Sequence, residues 1–195
     1  MRPGEHAGHA RRGIVAVDDQ TCMVDMARFF LRFTQSESCG KCIPCRLGTK
    51  RMLDVLDRIV SGEGRDGDVE LLGEMGAHVS EGSLCALGGT APNPVLTTIK
   101  YFRREYEAHI HEKRCPAGTC KALIRYTIDP DACTGCTLCA KKCPVACIGG
   151  ERKQVHVIDQ RACIRCDTCR LVCKFNAVRV LSGVDEPAPV VGGGV

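Results

Sequence analysis

Residues 133–144 read CTGCTLCAKKCP, and residues 163–174 read CIRCDTCRLVCK. Each stretch spaces four cysteines as CxxCxxCxxxC, and the second follows the first at an offset of thirty residues. The match extends to the flanks, because Ile128-Asp129 and Ala132 recur as Ile158-Asp159 and Ala162. A constant offset of this kind indicates an internal repeat, which predicts two similar halves related by a pseudo-twofold axis.

The spacing of these eight cysteines favours iron–sulfur clusters. Soft thiolate ligands select zinc, Cu(I) or iron–sulfur clusters. A CxxCxxC loop aims three sulfurs at one face of a compact object, as a cubane cluster requires, whereas zinc more often uses two separated CxxC pairs. Disulfides or zinc are the alternatives. Clusters are favoured because exchange of the fourth ligand between the runs explains why both runs occur together.

This part of the chain resembles a bacterial-type ferredoxin domain with two [4Fe–4S] clusters, in which the fourth cysteine of each run ligates the other cluster. The resemblance implies one cluster on Cys133, Cys136, Cys139 and Cys173, and another on Cys163, Cys166, Cys169 and Cys143. Short apolar stretches at residues 123–128, 154–158 and 177–181 predict strands around the loops. Residues 123–181 are therefore expected to form an α+β module.

A third group of cysteines lies nearer the N-terminus, in ESCGKCIPCR at residues 37–46. It supplies Cys39, Cys42 and Cys45, and a remote fourth candidate is Cys85 in SLCALGG at residues 83–89. Three ligands from one loop and one from a distant segment predict one further [4Fe–4S] cluster.

The segments around this group predict a small helical bundle over residues 15–112. Apolar residues recur at helical spacing over residues 23–33, from Pro44 to Gly62, over residues 69–79 and from Asn93 onward. Asn93 is expected to cap the last helix, with Pro94 at its first position. The apolar face of this helix is predicted to consist of Val95, Ile99, Phe102, Tyr106 and Ile110. The bundle would bring Cys85 beside the CxxCxxC loop, so the fold class is α+β.

Two longer stretches extend the resemblance beyond the ferredoxin module. They are DDQTCMVDMARFFLRFTQSESCGKCIPCRLGTKRML at residues 18–53 and SLCALGGTAPNPVLTTIKYFRREYEAHI at residues 83–110. Both resemble the C-terminal cluster domain of the NADH-binding flavoprotein subunit of respiratory complex I and its relatives. The bridge KRCPAGTCKALI at residues 113–124 and the appended ferredoxin module are most similar to the flavin subunit of NAD(P)-linked hydrogenases, which are often electron-bifurcating. The related formate dehydrogenases share this layout.

The resemblance implies an electron relay rather than an enzyme with its own catalytic site. The family's FMN and NAD(P) sites lie in a domain that would precede residue 1, so these cofactors are expected only on a partner domain or subunit. Gly88-Gly89-Thr90 and the terminal Gly192 to Gly194 match no nucleotide fingerprint and are interpreted as a turn and a tail. Expected partners are a flavoprotein, hydrogenase or formate dehydrogenase subunits, and a soluble ferredoxin. The alternatives are a free-standing ferredoxin-like carrier and a structural or zinc-binding adaptor.

Four cysteines remain outside the three clusters. Cys147 aligns with Ala177 in the repeat and is interpreted as packing, and Cys22 on the first helix is expected to be structural. Cys115 and Cys120 close a loop where the bundle gives way to the ferredoxin module, shortly after His109 and His111. Zinc held by both thiolates and a histidine or another ligand would pin a hinge at residues 113–122. A redox-active disulfide is the alternative.

Composition limits the other function classes. The formal net charge is +4, but twelve coordinating thiolates and three oxidised cubane cores would bring the loaded protein to roughly −2. No interleaved basic and aromatic residues support a nucleic-acid partner. No apolar run is long enough for membrane insertion, and cysteines at iron–sulfur spacing favour the cytoplasm. Residues 1–14, with His6 and His9, and residues 182–195 are expected to be disordered tails in which the histidines are solvated.

Overall fold

The N-terminal half is a bundle of helices. The computed structural model describes residues 16–183, so the predictions for the tail of residues 1–14 and for residues 184–195 lie outside the described part. The helices are α1 (Met23–Ser36), α2 (Thr49–Val60), α3 (Asp68–Gly82), α4 (Ala86–Thr90) and α5 (Asn93–Ile110), and a π-helical turn at Pro44–Gly48 leads into α2. The predicted helices are confirmed.

The C-terminal half contains short strands and helical turns. The elements are β1 (Ile124–Ile128), α6 (Leu138–Lys142), β2 (Ile148–Gly149), β3 (Val157–Ile158), α7 (Thr168–Val172) and β4 (Val178–Ser182). β1 pairs antiparallel with β4, with Tyr126 opposite Val180, and β2 pairs antiparallel with β3, with Ile148 opposite Ile158. The mixed helix-and-sheet fold is as expected, but Ser182 is the last residue of β4 and not the first residue of a tail.

The thirty-residue repeat is visible in the backbone. Thr137 and Asp167 precede α6 and α7, and both have left-handed φ angles, of 64° and 66°. Gly135 has a φ angle of 67°, and a Cβ atom there would lie 2.4 Å from the backbone nitrogen of Gln154. Because the segment between β2 and β3 that contains Gln154 approaches so closely, position 135 requires glycine. Its counterpart in the second repeat is Arg165, which has a φ angle of 54°.

The bundle has an apolar core formed by all of its longer helices. α1 packs on α2 and α5, and α3 packs on α5 and on the π-helical turn. The fully buried side chains of this core include Val24, Leu31, Met52, Leu56, Ile59, Leu72, Val95 and Tyr106. Within each helix the buried apolar side chains lie at helical spacing and therefore form one face. Burial of these faces stabilises the bundle.

Helix α5 differs from its predicted pattern at two positions. The helix begins at Asn93 rather than after it, with Pro92 at the capping position and no side-chain cap. Phe102, predicted on the buried face, is 41% exposed because the backbone there leaves the helical region, with φ −127° and ψ 30°. The hydroxyl of Thr98 bonds to that of Tyr106 across this kink, at 2.8 Å. The kink thus removes Phe102 from the stripe, whereas Val95 and Tyr106 remain buried.

The segment expected as a hinge, residues 113–122, is packed against both halves. Cys115 and Cys120 are buried in the bundle core, together with Leu123. The hydroxyl of Ser182 shares its one hydrogen between the carbonyl oxygens of Cys115 at 3.0 Å and Leu123 at 3.2 Å, and it accepts from the amide of Cys115 at 2.8 Å. The second core begins with Ile124 on β1. The end of β4 therefore fastens this segment to the ferredoxin half.

Within residues 16–183, no helix combines the length and the apolar character needed to cross a membrane.

The bundle core predicts a contrast between two leucines. Leu56→Ala is expected to lower the free energy of unfolding by about 2–5 kcal/mol, because Leu56 is fully buried and its truncation leaves a cavity. Leu71→Ala on α3 is the matched control, since Leu71 is 39% exposed. Urea unfolding followed by helical circular dichroism measures both. Equal losses for the two variants would contradict this packing.

Candidate metal centres

The eight cysteines of the two runs line two cavities of the ferredoxin half, with four of the eight in each. The first cavity is lined by Cys133, Cys136, Cys139 and Cys173. The second is lined by Cys143, Cys163, Cys166 and Cys169, together with Cys147. Each cavity therefore brings together three cysteines of one run and the last cysteine of the other. These are the two sets that the resemblance implies.

The backbone explains how the fourth cysteine leaves its own run. Cys143 follows the end of α6 and Cys173 follows the end of α7, and both have extended backbones, with ψ angles of 119° and 105°. An extended residue after a helical turn directs the chain away from that turn. The third cysteine of each run, Cys139 or Cys169, lies within the helical turn and is buried. In each run, the helical turn thus supplies a ligand to one site, and the extended residue after it supplies a ligand to the other site.

The aromatic linings of the two cavities differ. Tyr126 lines the cavity of Cys143, and His156, thirty residues later, lines the cavity of Cys133. His156 is 1% exposed, and its Nδ1 lies 3.1 Å from the carbonyl of Gln154. The repeat therefore places an imidazole against one set of thiols and a phenol against the other.

Burial and hydrogen bonds shift the pKa values of these thiols in opposite directions. Burial raises the pKa of Cys169 to about 11 and also raises the pKa of Cys139. At the rim, the hydroxyl of Thr168 lowers the pKa of Cys166. A metal or cluster binds the thiolate, so loading these cavities displaces protons from the buried cysteines.

Cys147 lies beside the set that contains Cys143, but it belongs to neither CxxCxxCxxxC run. Its thiol is buried, and its sulfur is 3.5 Å from that of Cys143. Burial, reinforced by the contact with Cys143, raises the pKa of Cys147 to about 12. A neutral, buried thiol agrees with the expectation that Cys147 is a packing residue.

The third group is assembled by close packing of short elements. Cys45 lies in the π-helical turn and is buried, and Cys85 immediately precedes α4. A Cβ atom at Gly88 on α4 would lie 3.2 Å from the Cβ of Cys45. A Cβ atom at Gly82 would lie 2.7 Å from Pro44. Glycines at these two positions therefore let the segment carrying Cys85 approach the loop carrying Cys45, as the sequence predicts.

The thiols of this group sit at the edge of the bundle. Cys39 and Cys85 are exposed, Cys42 is intermediate and Cys45 is buried. The hydroxyl of Ser38 lies 3.3 Å from the sulfur of Cys45. A cluster held here would face outward on the side of Cys39 and Cys85, where a partner can approach it.

A fourth set of ligands is buried in the bundle core. Cys22, His109, Cys115 and Cys120 bring one ligand atom each to within 4.8 Å of one another. Sγ of Cys22 lies 3.4 Å from Nε2 of His109 and 3.6 Å from Sγ of Cys120, and Nε2 of His109 lies 3.3 Å from Sγ of Cys120. A zinc tetrahedron with three sulfurs and one nitrogen has edges of about 3.6–3.8 Å. The donor set therefore fits a single ion and is too tight for a cubane.

The orientation of His109 suits metal binding. Its Nδ1–H donates to the carbonyl of Glu105 at 2.7 Å, which leaves Nε2 facing the three sulfurs. A hydrogen bond of this kind fixes the tautomer that a metal requires. Without a metal, burial opposes protonation, but hydrogen bonds with Cys115 and Cys22 outweigh it and raise the pKa of His109 to about 10. The contact with Cys120 lowers the pKa of Cys115. A metal ion would replace the protons shared among these groups.

The sequence predicts only part of this set. It indicates Cys115, Cys120 and a nearby histidine, and the histidine is His109, because His111 is exposed and contacts Asp66. Cys22, expected to be structural, is a fourth member of the set. It lies 98 residues from Cys120, so no local spacing could reveal the contact. Among the described residues no disulfide joins any two cysteines, including Cys115 and Cys120.

Two protein families match segments of this chain. Residues 25–109 match the NADH-ubiquinone oxidoreductase-F iron-sulfur binding region, and residues 126–149 match the 4Fe-4S binding domain. The first match contains Cys39, Cys42, Cys45 and Cys85, and the second contains the first CxxCxxCxxxC run.

Curated relatives cover the chain to different extents. The NADP-reducing hydrogenase subunit HndC of Solidesulfovibrio fructosivorans is 50% identical over 166 residues, which is 85% of this chain and 34% of the relative. An NADH-quinone oxidoreductase subunit of Rhizobium meliloti (strain 1021) is 45% identical over 53% of this chain and 25% of the relative. NADP(+)-dependent formate dehydrogenase subunit beta of Moorella thermoacetica is 34% identical over 54% of this chain and 15% of the relative.

The chain thus spans about a third or less of the length of these relatives. The site geometry and the two family matches agree on what this part contains. The chain therefore carries a region that matches the NADH-ubiquinone oxidoreductase-F iron-sulfur binding region at residues 25–109 and a 4Fe-4S binding domain at residues 126–149, and it is similar to only part of these NADH-linked oxidoreductase and hydrogenase subunits.

Proposed function

We propose that this chain relays single electrons through three [4Fe–4S] clusters. The observation that carries the proposal is the grouping of eight cysteines into two cavities, each with three thiols from one run and one from the other. When bound, such clusters accept and pass on one electron at a time, at potentials set by their surroundings. The protein's contribution is to hold the thiolates in place, exclude water from the inner side and supply hydrogen bonds to sulfur.

The proposed ligands divide into three sets of four. They are Cys39, Cys42, Cys45 and Cys85 in the bundle, Cys133, Cys136, Cys139 and Cys173 in one cavity, and Cys163, Cys166, Cys169 and Cys143 in the other. A sulfur that accepts hydrogen bonds stabilises a more negative, reduced cluster. The amide of Ala177 donates to Cys173 at 3.4 Å, and Thr168 contacts Cys166 at 3.3 Å. Each cavity therefore has its own hydrogen bonds with which to adjust a potential.

The proposed route runs from a flavin on a partner domain or subunit to the bundle cluster and on to the ferredoxin pair. The relatives are named as subunits of an NADP-reducing hydrogenase, an NADH-quinone oxidoreductase and a formate dehydrogenase. By analogy, FMN and NAD(P) belong to a partner, and hydrogenase or formate dehydrogenase subunits or a soluble ferredoxin exchange the electrons. Thiolate clusters of this kind suit a reducing cytoplasm, where we place the relay.

We further propose that Cys22, His109, Cys115 and Cys120 bind one zinc ion. Three sulfurs and one nitrogen form a closed structural set with no position left for substrate. The ion would join the start of α1, the end of α5 and the segment that leads to β1. Because this segment leads directly into β1, the ion would hold the ferredoxin half against the bundle. All four side chains are buried, so the ion would also fix the separation of the clusters.

The first prediction concerns metal content. The full chain purified without oxygen is expected to contain about twelve iron atoms and twelve acid-labile sulfides, because each set of four thiolates holds one cubane. Elemental analysis and sulfide assay measure both. About eight iron atoms would remove the bundle cluster from the proposal, and zinc without iron would overturn the electron relay.

The second prediction tests the exchanged fourth ligand. Cys173→Ser is expected to lower the iron content by about four atoms per chain, the content of one cubane. Adding Cys133→Ser should cause no further loss, because both residues are assigned to the same cluster, whereas adding Cys163→Ser should remove about four more. Iron analysis and electron paramagnetic resonance of the reduced protein measure the loss. The reverse result would show that each run ligates its own cluster.

The third prediction concerns zinc. The wild-type chain is expected to contain about one zinc ion, and Cys22→Ser should lower its occupancy and the thermal stability of the bundle, because one of four buried ligands is lost. Cys147→Ser is the matched control, since Cys147 is also buried but lies outside the set. Elemental analysis after mild chelation measures the occupancy. Unchanged zinc in the Cys22 variant would contradict the assignment.

A further inference from the structure

An open cleft lies where the two halves meet. The bundle contributes Ser61 and Gly62 at the end of α2, and the ferredoxin half contributes Ile124 and Arg125 from β1. The seam between the two apolar cores falls at this point, because Leu123 belongs to the bundle core and Ile124 to the other. The cleft is separate from both cysteine-lined cavities.

Three cationic side chains line the cleft, namely Lys113, Arg125 and Arg165, and no acidic residue among residues 16–183 lines it. Within the described part of the chain, none of the three forms an ion pair, although arginines elsewhere do, such as Arg58 with Asp68. Nζ of Lys113 donates to the carbonyl of Gly64 at 2.9 Å, and no carboxylate among residues 16–183 pairs with it. The cleft therefore concentrates positive charge.

Two of these guanidinium groups contain buried nitrogens that lack partners. Nε and Nη2 of Arg125 and Nε of Arg165 are shielded from solvent and make no hydrogen bond within the described residues. A buried donor without an acceptor is costly, more so when it is charged, and such groups in native proteins usually have an acceptor from water or an ion. Each of these two guanidinium groups therefore has donors without an acceptor among the described residues.

The repeat supplies an independent observation on Arg165. This residue occupies a left-handed conformation with a φ angle of 54°, whereas its counterpart Gly135 adopts a similar angle without cost. A non-glycine residue in this region is strained, and such strain is concentrated at functional sites. Arg165 lies between Cys163 and Cys166, but it lines the cleft and not the cavity of those thiols. The residue in the left-handed conformation therefore borders the cleft.

We propose that this cleft is a binding site for a phosphate group, held by Arg125, Arg165 and Lys113. The planar fork of a guanidinium matches phosphate oxygens, and a doubly charged phosphate balances three cations better than a single carboxylate does. Bound phosphate would bridge β1, the loop of Arg165 and the segment before the zinc ligands. It would therefore stabilise the packing of the ferredoxin half on the bundle, whether or not the electron relay is correct.

The test uses the full, cluster-loaded chain under anaerobic conditions at low ionic strength. Inorganic phosphate and pyrophosphate are titrated by calorimetry, and cluster absorbance is monitored to show that the iron is retained. We expect saturable binding with one site per chain and a concentration-dependent rise in the unfolding midpoint. Arg125→Gln, Arg165→Gln and Lys113→Gln should each weaken binding, the arginine variants by about tenfold or more.

Arg179→Gln is the matched control, because Arg179 lies on the strand paired with β1 but is exposed and bound to Asp129. This variant should bind phosphate as the wild type does. Absence of saturable binding to the wild-type chain would overturn the proposal, and so would an equal loss in the Arg179 variant, which would indicate nonspecific charge attraction. If the Arg165 variant loses iron, Arg125→Gln decides, since Arg125 on β1 is not adjacent in sequence to any of the proposed cluster ligands or zinc ligands.

Discussion

The ferredoxin half depends on one constraint, that four thiolates must converge from two segments thirty residues apart. Its sheets contain only two strands each, and a structure of this size buries little apolar surface on its own. Each cysteine run contributes to both cavities, so neither half of the repeat completes a site alone. In the proposed loaded state, ligation would therefore couple the two halves, and metal binding would contribute part of the folding free energy.

A similar principle extends into the bundle. Cys22 at the start of α1 and His109 near the end of α5 meet Cys115 and Cys120, which precede β1. Ser182 at the end of β4 then bonds to the backbone around Cys115. The bundle and the ferredoxin half are thus joined by two features. These are the buried group of three cysteines and His109, and the hydrogen bonds of the Ser182 hydroxyl. A relay requires clusters at a fixed separation, and these contacts supply a physical means of fixing it.

The sequence was most informative where ligand spacing and helical periodicity are local. The CxxCxxC loops and the helices of the bundle follow from spacings of three or four residues, and the structure agrees with them. The sequence was least informative where the contacting residues are far apart along the chain or where the backbone leaves its regular helical path. Phe102 fits the apolar stripe of α5, yet the kink exposes it. Cys22 resembles any core cysteine until the fold brings it to Cys120.

The sequence by itself determined the chemistry, because the kind and spacing of the cysteines restrict the metal sites that they can form. It also revealed the repeat, whereas the assignment of Cys173 and Cys143 to the opposite runs followed from the resemblance to two-cluster ferredoxins. Only the tertiary structure decided which residues from remote segments share a site. It selected His109 over His111, added Cys22, and placed Arg125 and Arg165 in one cleft. The reason is that these contacts depend on how helices and loops pack in three dimensions, which no local pattern encodes.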